Sequence, residues 1–374
     1  MSKRVLHTEV CDLLDIEYPI FQAGMGAGRS YAPPELVAAV SNAGGLGVIG
    51  EASRPPELIE KDIKKTRGLT DKPFAVDILM PAKLDANSGS IEELKTQLPK
   101  EHVDFVERLK KDLGVDDPKP PYQLLSYPRT EEFVKSQLEV VLEERPPAFA
   151  TGLGTPGWMV KECHARDIKV ISLVGTVRAA CRVKDLGADI IVAQGTEAGG
   201  HTGMIATMPL VPQVVDAVYP TPVLAAGGIA DGRGLVAALA LGAQGVWCGT
   251  AFLATKEVRL AKWQEKILAE ATEADPRISR VLTGKTLRCH RNKLAEIWNK
   301  EGMSYLPMPY QAVLTGELFV SLEQAGMYDY VPFLYGQIGG MIKEIKPAKQ
   351  VLDEMVDGAI AILKGKGRNK VIVE

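Results

Sequence analysis

Short runs of nearly continuous apolar residues, most of them bounded by glycine, alternate along the first two thirds of this chain with longer stretches whose apolar positions recur at helical spacing. The runs at 19–25, 45–50 and 74–79 predict three strands. The stretches at 33–43 and 55–67 predict the helices between them, the second with Pro56 in its first turn, where a missing N–H costs little. A polar, proline-bearing excursion follows at 80–128, too long for a simple connection, with a helical patch over 91–113. The rhythm then resumes with a helix at 131–144, a strand at 148–154, a helix at 158–166 and a strand at 169–174. A helix at 176–186, closed by Gly187, leads to a strand at 189–194. Strands at 222–228 and 245–250 flank a helix at 232–241 that Gly242 stops.

Eight apolar strands, each bounded by turn residues and alternating with helices, indicate a parallel sheet covered on its outer side. That count indicates an α/β protein of the (β/α)8 TIM barrel class. An open doubly wound sheet explains the pattern less well, because strand-end glycines recur along the whole chain and not at one switch point. Beyond residue 254 the rhythm breaks. Residues 256–274 read as helical, 281–308 mix basic residues with Trp298 and Tyr305, 311–326 read as helical again, and 348–364 form a helix expected to pack on the barrel as its eighth outer helix. The expected organisation is a barrel over 1–254 with the insertion 80–128, a helical lid or substrate region over 255–345, and a returning helix within 346–374. Barrel active sites lie at the C-terminal ends of the strands, so 255–345 is a candidate wall or lid. A surface appendage without a part in catalysis is the alternative.

Composition narrows the function classes. The 374 residues, 46% hydrophobic and 24% charged, are enough to bury a large core. A net charge of −3, with Lys and Arg scattered among acids, offers no basic field, so no nucleic-acid partner is expected. No window reaches the roughly 18 apolar residues a spanning helix needs, and residues 1–9 lack a signal-peptide core, which leads to the expectation of a cytoplasmic protein with no membrane partner. The five cysteines are dispersed and read as free thiols. Cys163-His164 and Cys289-His290 each lack a second pair at ligand spacing, so no metal site is expected.

The stretch V-A-Q-G-T-E-A-G-G-H-T-G at 192–203 is the strongest chemical candidate. Gly195, Gly199 and Gly200 suit a loop whose N–H groups must approach a flat ring or a phosphate closely. His201 supplies a proton acceptor near neutral pH. Read alone, the same stretch is also compatible with a tight turn carrying a surface histidine. Gly227-Gly228 and Gly249-Thr250 occupy the turns after strands seven and eight, where barrels commonly bind phosphate through backbone N–H groups. A sugar phosphate or a flavin mononucleotide would fit that site equally well.

Q-A-G-M-G at 22–26, Q-G-T-E-A-G-G-H-T-G at 194–203, A-A-G-G-I-A-D-G-R-G at 225–234 and G-A-Q-G-V-W-C-G-T-A-F-L-A-T at 242–255 resemble, in order and spacing, the nitronate monooxygenase (2-nitropropane dioxygenase) family. The resemblance covers roughly 18–255, with a fainter match at 336–342. That family also includes flavin-dependent enoyl-acyl-carrier-protein reductases and NADH:quinone reductases. The resemblance implies a barrel holding FMN. Gly24 and Met25 would lie beside the ring, Asp77 would occupy a cofactor-facing position, Gln194 would contact the ring, and Gly199 and Gly200 would give backbone contacts. Gly227, Gly228, Gly249 and Thr250 would hold the phosphate. His201 would be the catalytic base, with Glu197 orienting its loop.

Three positions depart from the family pattern: Gly24 stands where proline is usual, Asp77 where asparagine is usual, and Thr202 where arginine is usual. The Asp77 carboxylate would repel an anionic nitronate or a reduced flavin. The implied activity is oxidation of an alkyl nitronate with O2. The alternative is an NAD(P)H-dependent reductase or dehydrogenase acting on an α,β-unsaturated acyl thioester or a quinone. Because no separate G-x-G-x-x-G follows an N-terminal strand, a nicotinamide donor would dock above the flavin. A flavin-free phosphate-binding isomerase or lyase, and a catalytically silent flavin-binding module, complete the readings. The expected partner is a small-molecule substrate, and a homodimer is a compatible assembly.

Overall fold

A computed structural model of the chain describes residues 5–27, 29–51, 54–80, 91–124 and 131–366. Residues 81–90 and 125–128 of the predicted excursion, and 367–374 of the terminal segment, lie outside the described residues.

Eight parallel strands form one sheet: β1 (Ile20–Gln22), β2 (Gly47–Gly50), β3 (Phe74–Leu79), β4 (Ala148–Gly152), β5 (Lys169–Val174), β6 (Ile190–Gln194), β7 (Val223–Ala226) and β8 (Gly245–Cys248). From β2 to β8 each strand pairs with the next, and β8 pairs β1 with Ile20 opposite Val246. The sheet closes at a parallel bridge between Phe21 and Leu46, where Gln22 N donates to Leu46 O and Leu46 N to Ile20 O, both at 2.9 Å. The result is the (β/α)8 barrel that the strand rhythm indicated.

The apolar runs are continuous because both strand faces are buried. Phe21, Val48, Ala75, Ala150, Ile171, Val192, Leu224 and Trp247 share the interior cluster. Their alternates Ile20, Ile49, Val76, Phe149, Val170, Ile191, Ala225 and Val246 belong to the clusters that include the outer helices. A short helix, Glu9–Leu14, adds Val10, Cys11 and Leu14 to the interior cluster from the end where β8 begins, with the Thr8 hydroxyl donating to Gln244 O at 2.5 Å. The strand rhythm did not predict this helix, nor the helix Thr207–Val218 between β6 and β7. In that second case Pro212 inside the helix masks a buried face of Leu210, Val211, Val214 and Val218.

Past β8 the structure corrects several expectations. Helix 256–274 shrinks to Lys262–Glu270, with Thr255 bridged to Lys346 before it and Thr272 N donating to the Asp275 carboxylate at 2.7 Å after it, and Pro276–Ser279 forms a strand antiparallel to a second one at Leu287–His290. The 255–345 region is therefore not purely helical. Four-residue strands leave too short an alternation to read from a pattern. The insertion helix Lys100–Leu113 joins this region, placing Phe105, Val106 and Leu109 in one apolar cluster with Trp298, Leu318 and Phe319. The Phe105 and Trp298 rings meet edge to face at 5.0 Å between centroids.

Helix Ala348–Leu363 returns to the barrel and packs on helices Gly232–Ala240 and Pro34–Asn42, completing the outer ring. Its approach to the first of these requires Gly232, where a β-carbon would lie 2.6 Å from Gly358 C and 2.7 Å from Met355 O. At Gly358 a β-carbon would stay 3.6 Å from its nearest neighbour, Gly232 Cα. Gly232→Ala is therefore expected to cost about 1–3 kcal/mol through overpacking. Gly358→Ala should be neutral or stabilising by up to roughly 1 kcal/mol, since it removes a glycine from a helix interior. Urea unfolding of the two variants checks the contrast.

Candidate active site

One cavity of about 1360 Å³, open mouth included, lies over the C-terminal ends of the barrel strands. The residues expected to hold a cofactor or move a proton line it: Gly24 and Met25 after β1, Asp77 in β3, Gln194 at the end of β6, Gly199, Gly200 and His201 in the following loop, Gly227 and Gly228 after β7, and Gly249 and Thr250 after β8, whereas Gly195 packs against Thr207 and Glu197 instead. The far wall comes from the 255–345 region, through Leu282, Thr283, Leu287, Leu334, Gly336 and Ile338.

A glycine-rich loop has little rigidity of its own, so the His201 loop takes its shape from neighbours. The pair Gly200–His201 forms a two-residue strand against Leu287–His290, with His201 opposite Leu287. The Gln194 side-chain amide donates to His201 O at 2.6 Å. Buried Arg288 donates to Thr196 O and to Pro276 O, both at 2.9 Å, tying loop and strand pair together. His201 Nε2 lies 2.9 Å from the hydroxyl of the buried Thr283, which fixes the plane of the imidazole. Glu197 is occupied elsewhere. Its carboxylate accepts from Thr207 N at 3.0 Å and from the Thr207 hydroxyl at 2.9 Å, capping the next helix and bracing the loop. Residues 335–336 cross so close to this loop that a β-carbon at Gly199 would sit 2.6 Å from Tyr335 C.

The corner between β1 and β3 holds what sequence reasoning separated or missed. Gln22, the first residue of the Q-A-G-M-G motif, is fully buried and exchanges hydrogen bonds with the Val48 backbone at 3.1 and 3.2 Å, so it serves the barrel seam. Two of the departures from the family pattern touch each other. A β-carbon at Gly24 would fall 2.6 Å from Asp77 Oδ2 and collide with the Asp77 side chain, so glycine at one position makes room for aspartate at the other. Glu51, just past β2, also lines the cavity and is fully buried. Arg54 approaches it at 2.8 Å and bridges to Asp62 at 2.7 Å. Burial pushes the Glu51 carboxyl up to about 9, against the pull of Arg54, so it is protonated at neutral pH. No pattern marked Glu51, because a single glutamate after a strand reads as a solvated turn.

At the opposite side, Gly227 and Gly228 adopt φ of +93° and +75°, a region that side chains rarely adopt. The Thr250 hydroxyl accepts from Gly336 N at 2.8 Å, which leaves its proton available for donation into the cavity. Among the described residues none that lines the cavity is a lysine or arginine, so an anion there would meet backbone N–H groups and the Thr250 hydroxyl. The lining thiol, Cys248, is raised by burial to about 12 and is no nucleophile. All five cysteines are free, and among the described residues no cluster of His, Cys, Asp and Glu could hold a metal.

The family model for nitronate monooxygenase matches residues 7–358. The chain belongs to the nitronate monooxygenase family. A Mycobacterium tuberculosis protein named a putative monooxygenase is 37% identical over 367 residues, covering 94% of this chain and 96% of its own. Among solved structures, nitroalkane oxidase from Streptomyces ansochromogenes is similar with a TM-score of 0.77 at 28% identity, over 96% of this chain and 99% of that one. FabK from Thermotoga maritima is similar with a TM-score of 0.74 at 32% identity, over 96% and 98%.

Two outcomes test this corner of the site. Gly24→Ala should destabilise the native protein by about 1–3 kcal/mol but cost less in an Asp77→Gly background, a coupling that a double-mutant cycle reads directly. Glu51 binds its proton more tightly folded than unfolded, so its contribution to stability is full below its ordinary value, 4.5, and is lost as pH rises toward 9. Urea unfolding between pH 6 and 9 should show a decline with a Glu51 share of up to about 1.4 kcal/mol per pH unit, which Glu51→Gln removes. An unchanged slope in that variant would mean that Glu51 is ionised in the fold.

Proposed function

We propose that this protein is an FMN-dependent oxidoreductase that oxidises an alkyl nitronate with O2, with His201 as the group that moves the substrate proton. The observation that carries this reading is the placement of a single held imidazole on the rim of a glycine-lined cavity at the strand ends. The cavity suits a flavin mononucleotide. The positive-φ turn of Gly227 and Gly228, the roomy Gly249 and the Thr250 hydroxyl form a cradle for a phosphate, while Gly24, Met25, Gln194, Gly199 and Gly200 leave a flat, side-chain-poor surface for a ring. Bound FMN supplies the electron-transfer chemistry of the reaction.

The chain's own residues do the rest. Thr283 orients the imidazole through Nε2, and Gln194 fixes the backbone beneath it, so that His201 meets a substrate carbon in a defined geometry. Because a nitronate is already deprotonated, His201 on the oxidative side takes the α-proton of the neutral nitroalkane that yields the nitronate, and in reduction it delivers a proton to the substrate. Leu282, Leu287 and Leu334 exclude water from that exchange.

A second reading, an NAD(P)H-dependent reductase or dehydrogenase acting on an unsaturated acyl thioester or quinone, is favoured by a specific observation. Asp77 lines the same cavity, and its carboxylate opposes an anionic nitronate there. Family membership supports redox chemistry over the flavin-free isomerase reading. Purified protein should be yellow. His201→Ala should retain the flavin and lose at least about tenfold in kcat/KM for neutral nitroethane, the low end for a missing general base. Anaerobic mixing with ethyl nitronate and with NADH in turn separates the two substrates by which one bleaches the flavin band. A colourless protein, or a His201→Ala variant with full activity, would overturn the proposal.

A further inference from the structure

A second cavity, about 1500 Å³ with its mouth, opens beside the first and shares His201, Gln194, Leu79 and Leu173 with it. His201 therefore stands at the junction of two spaces. They differ in charge. Among the described residues, the acidic ones lining the first are Glu51, Asp77 and Glu197, with no lysine or arginine, and the charged ones lining the second are Arg182, Arg280 and Lys285, with no aspartate or glutamate. In a chain of net charge −3, that sorting makes the second cavity the basic one of the pair.

The cations come from different elements and converge. Arg182 sits on the helix Val177–Asp185, whose N-terminal end presents Gly175 and Thr176 to the same space and adds the positive end of its dipole. Arg280 is held in place by donating from Nε to Gly284 O at 2.7 Å, with its guanidinium 5.8 Å from the Tyr305 ring centroid. Lys285 follows Thr283 by two residues, and its amide donates to the hydroxyl that orients His201, at 3.4 Å. A small nitronate needs neither this volume nor three cations. A ligand with its reacting end at His201 and a doubly charged group several bonds away uses both.

We propose that the second cavity binds the phosphate-bearing tail of a molecule whose reacting end docks beside His201. This rests on the oxidoreductase reading and specifies the class of ligand it serves. Two sources share that chemistry: the pyrophosphate of a nicotinamide dinucleotide donor, and the phosphate-linked carrier of an acyl thioester.

The test uses the flavin-loaded enzyme with Arg182→Ala, Lys285→Ala and the double variant. Equilibrium binding and KM are measured for NADH and for a short enoyl-CoA, with ethyl nitronate as the phosphate-free probe. Each lost cation should weaken one phosphate-bearing ligand roughly tenfold, as expected for losing a charge-assisted contact, while leaving ethyl nitronate within about twofold. Higher ionic strength should weaken the same ligand in the native enzyme and less in the double variant. An effect confined to NADH assigns the cavity to the electron donor, and one confined to the thioester assigns it to the substrate. Native enzyme that binds neither, variants that bind both as the native enzyme does, or an equal loss for ethyl nitronate would overturn the proposal. None of those results touches the role of His201, which its own variant tests separately.

Discussion

The site depends on strand pairing between Gly200–His201 and Leu287–His290. A loop with glycines at 195, 199 and 200 loses much conformational entropy when it is fixed, and glycine offers no side chain to hold it. The holding groups therefore come from outside: Arg288 on the Thr196 carbonyl, Thr283 on the imidazole, and Thr207 beneath Glu197. The barrel brings the loop to the right end of the sheet, and a region eighty residues further along gives it its shape.

The same logic of absent side chains governs the packing. Gly199 lets residues 335–336 cross the loop, Gly24 makes room for Asp77, and Gly232 lets the last helix settle on the barrel. In each case a methyl group would meet backbone or a carboxylate at well under van der Waals distance. These glycines are set by what approaches them, which a chain read by itself does not reveal.

Much of the fold was legible because a buried parallel strand has a distinctive signature, continuous and apolar between turn residues, and eight such runs survived the interruption at 80–128. The glycine pairs after β7 and β8, and the histidine after β6, were legible by their place in that count. What stayed hidden depends on contacts between distant segments. The strands at 276–279 and 287–290 are too short to show a period, and they form because they pair with each other and with the histidine loop. Glu51 reads as a surface acid until the fold buries it against Arg54. Arg288 reads as solvated until Thr196 accepts from it.

The edge-to-face contact of Phe105 with Trp298 joins the excursion after β3 to the region after β8. The wall of the cavity is consequently moored at two remote points of the chain and spans the barrel mouth like a beam fixed at both ends. A flap with one hinge can swing open at the cost of a few backbone rotations. A doubly anchored span moves only if an aromatic ring leaves its socket, so side-chain packing remote from either glycine cradle holds the wall in place.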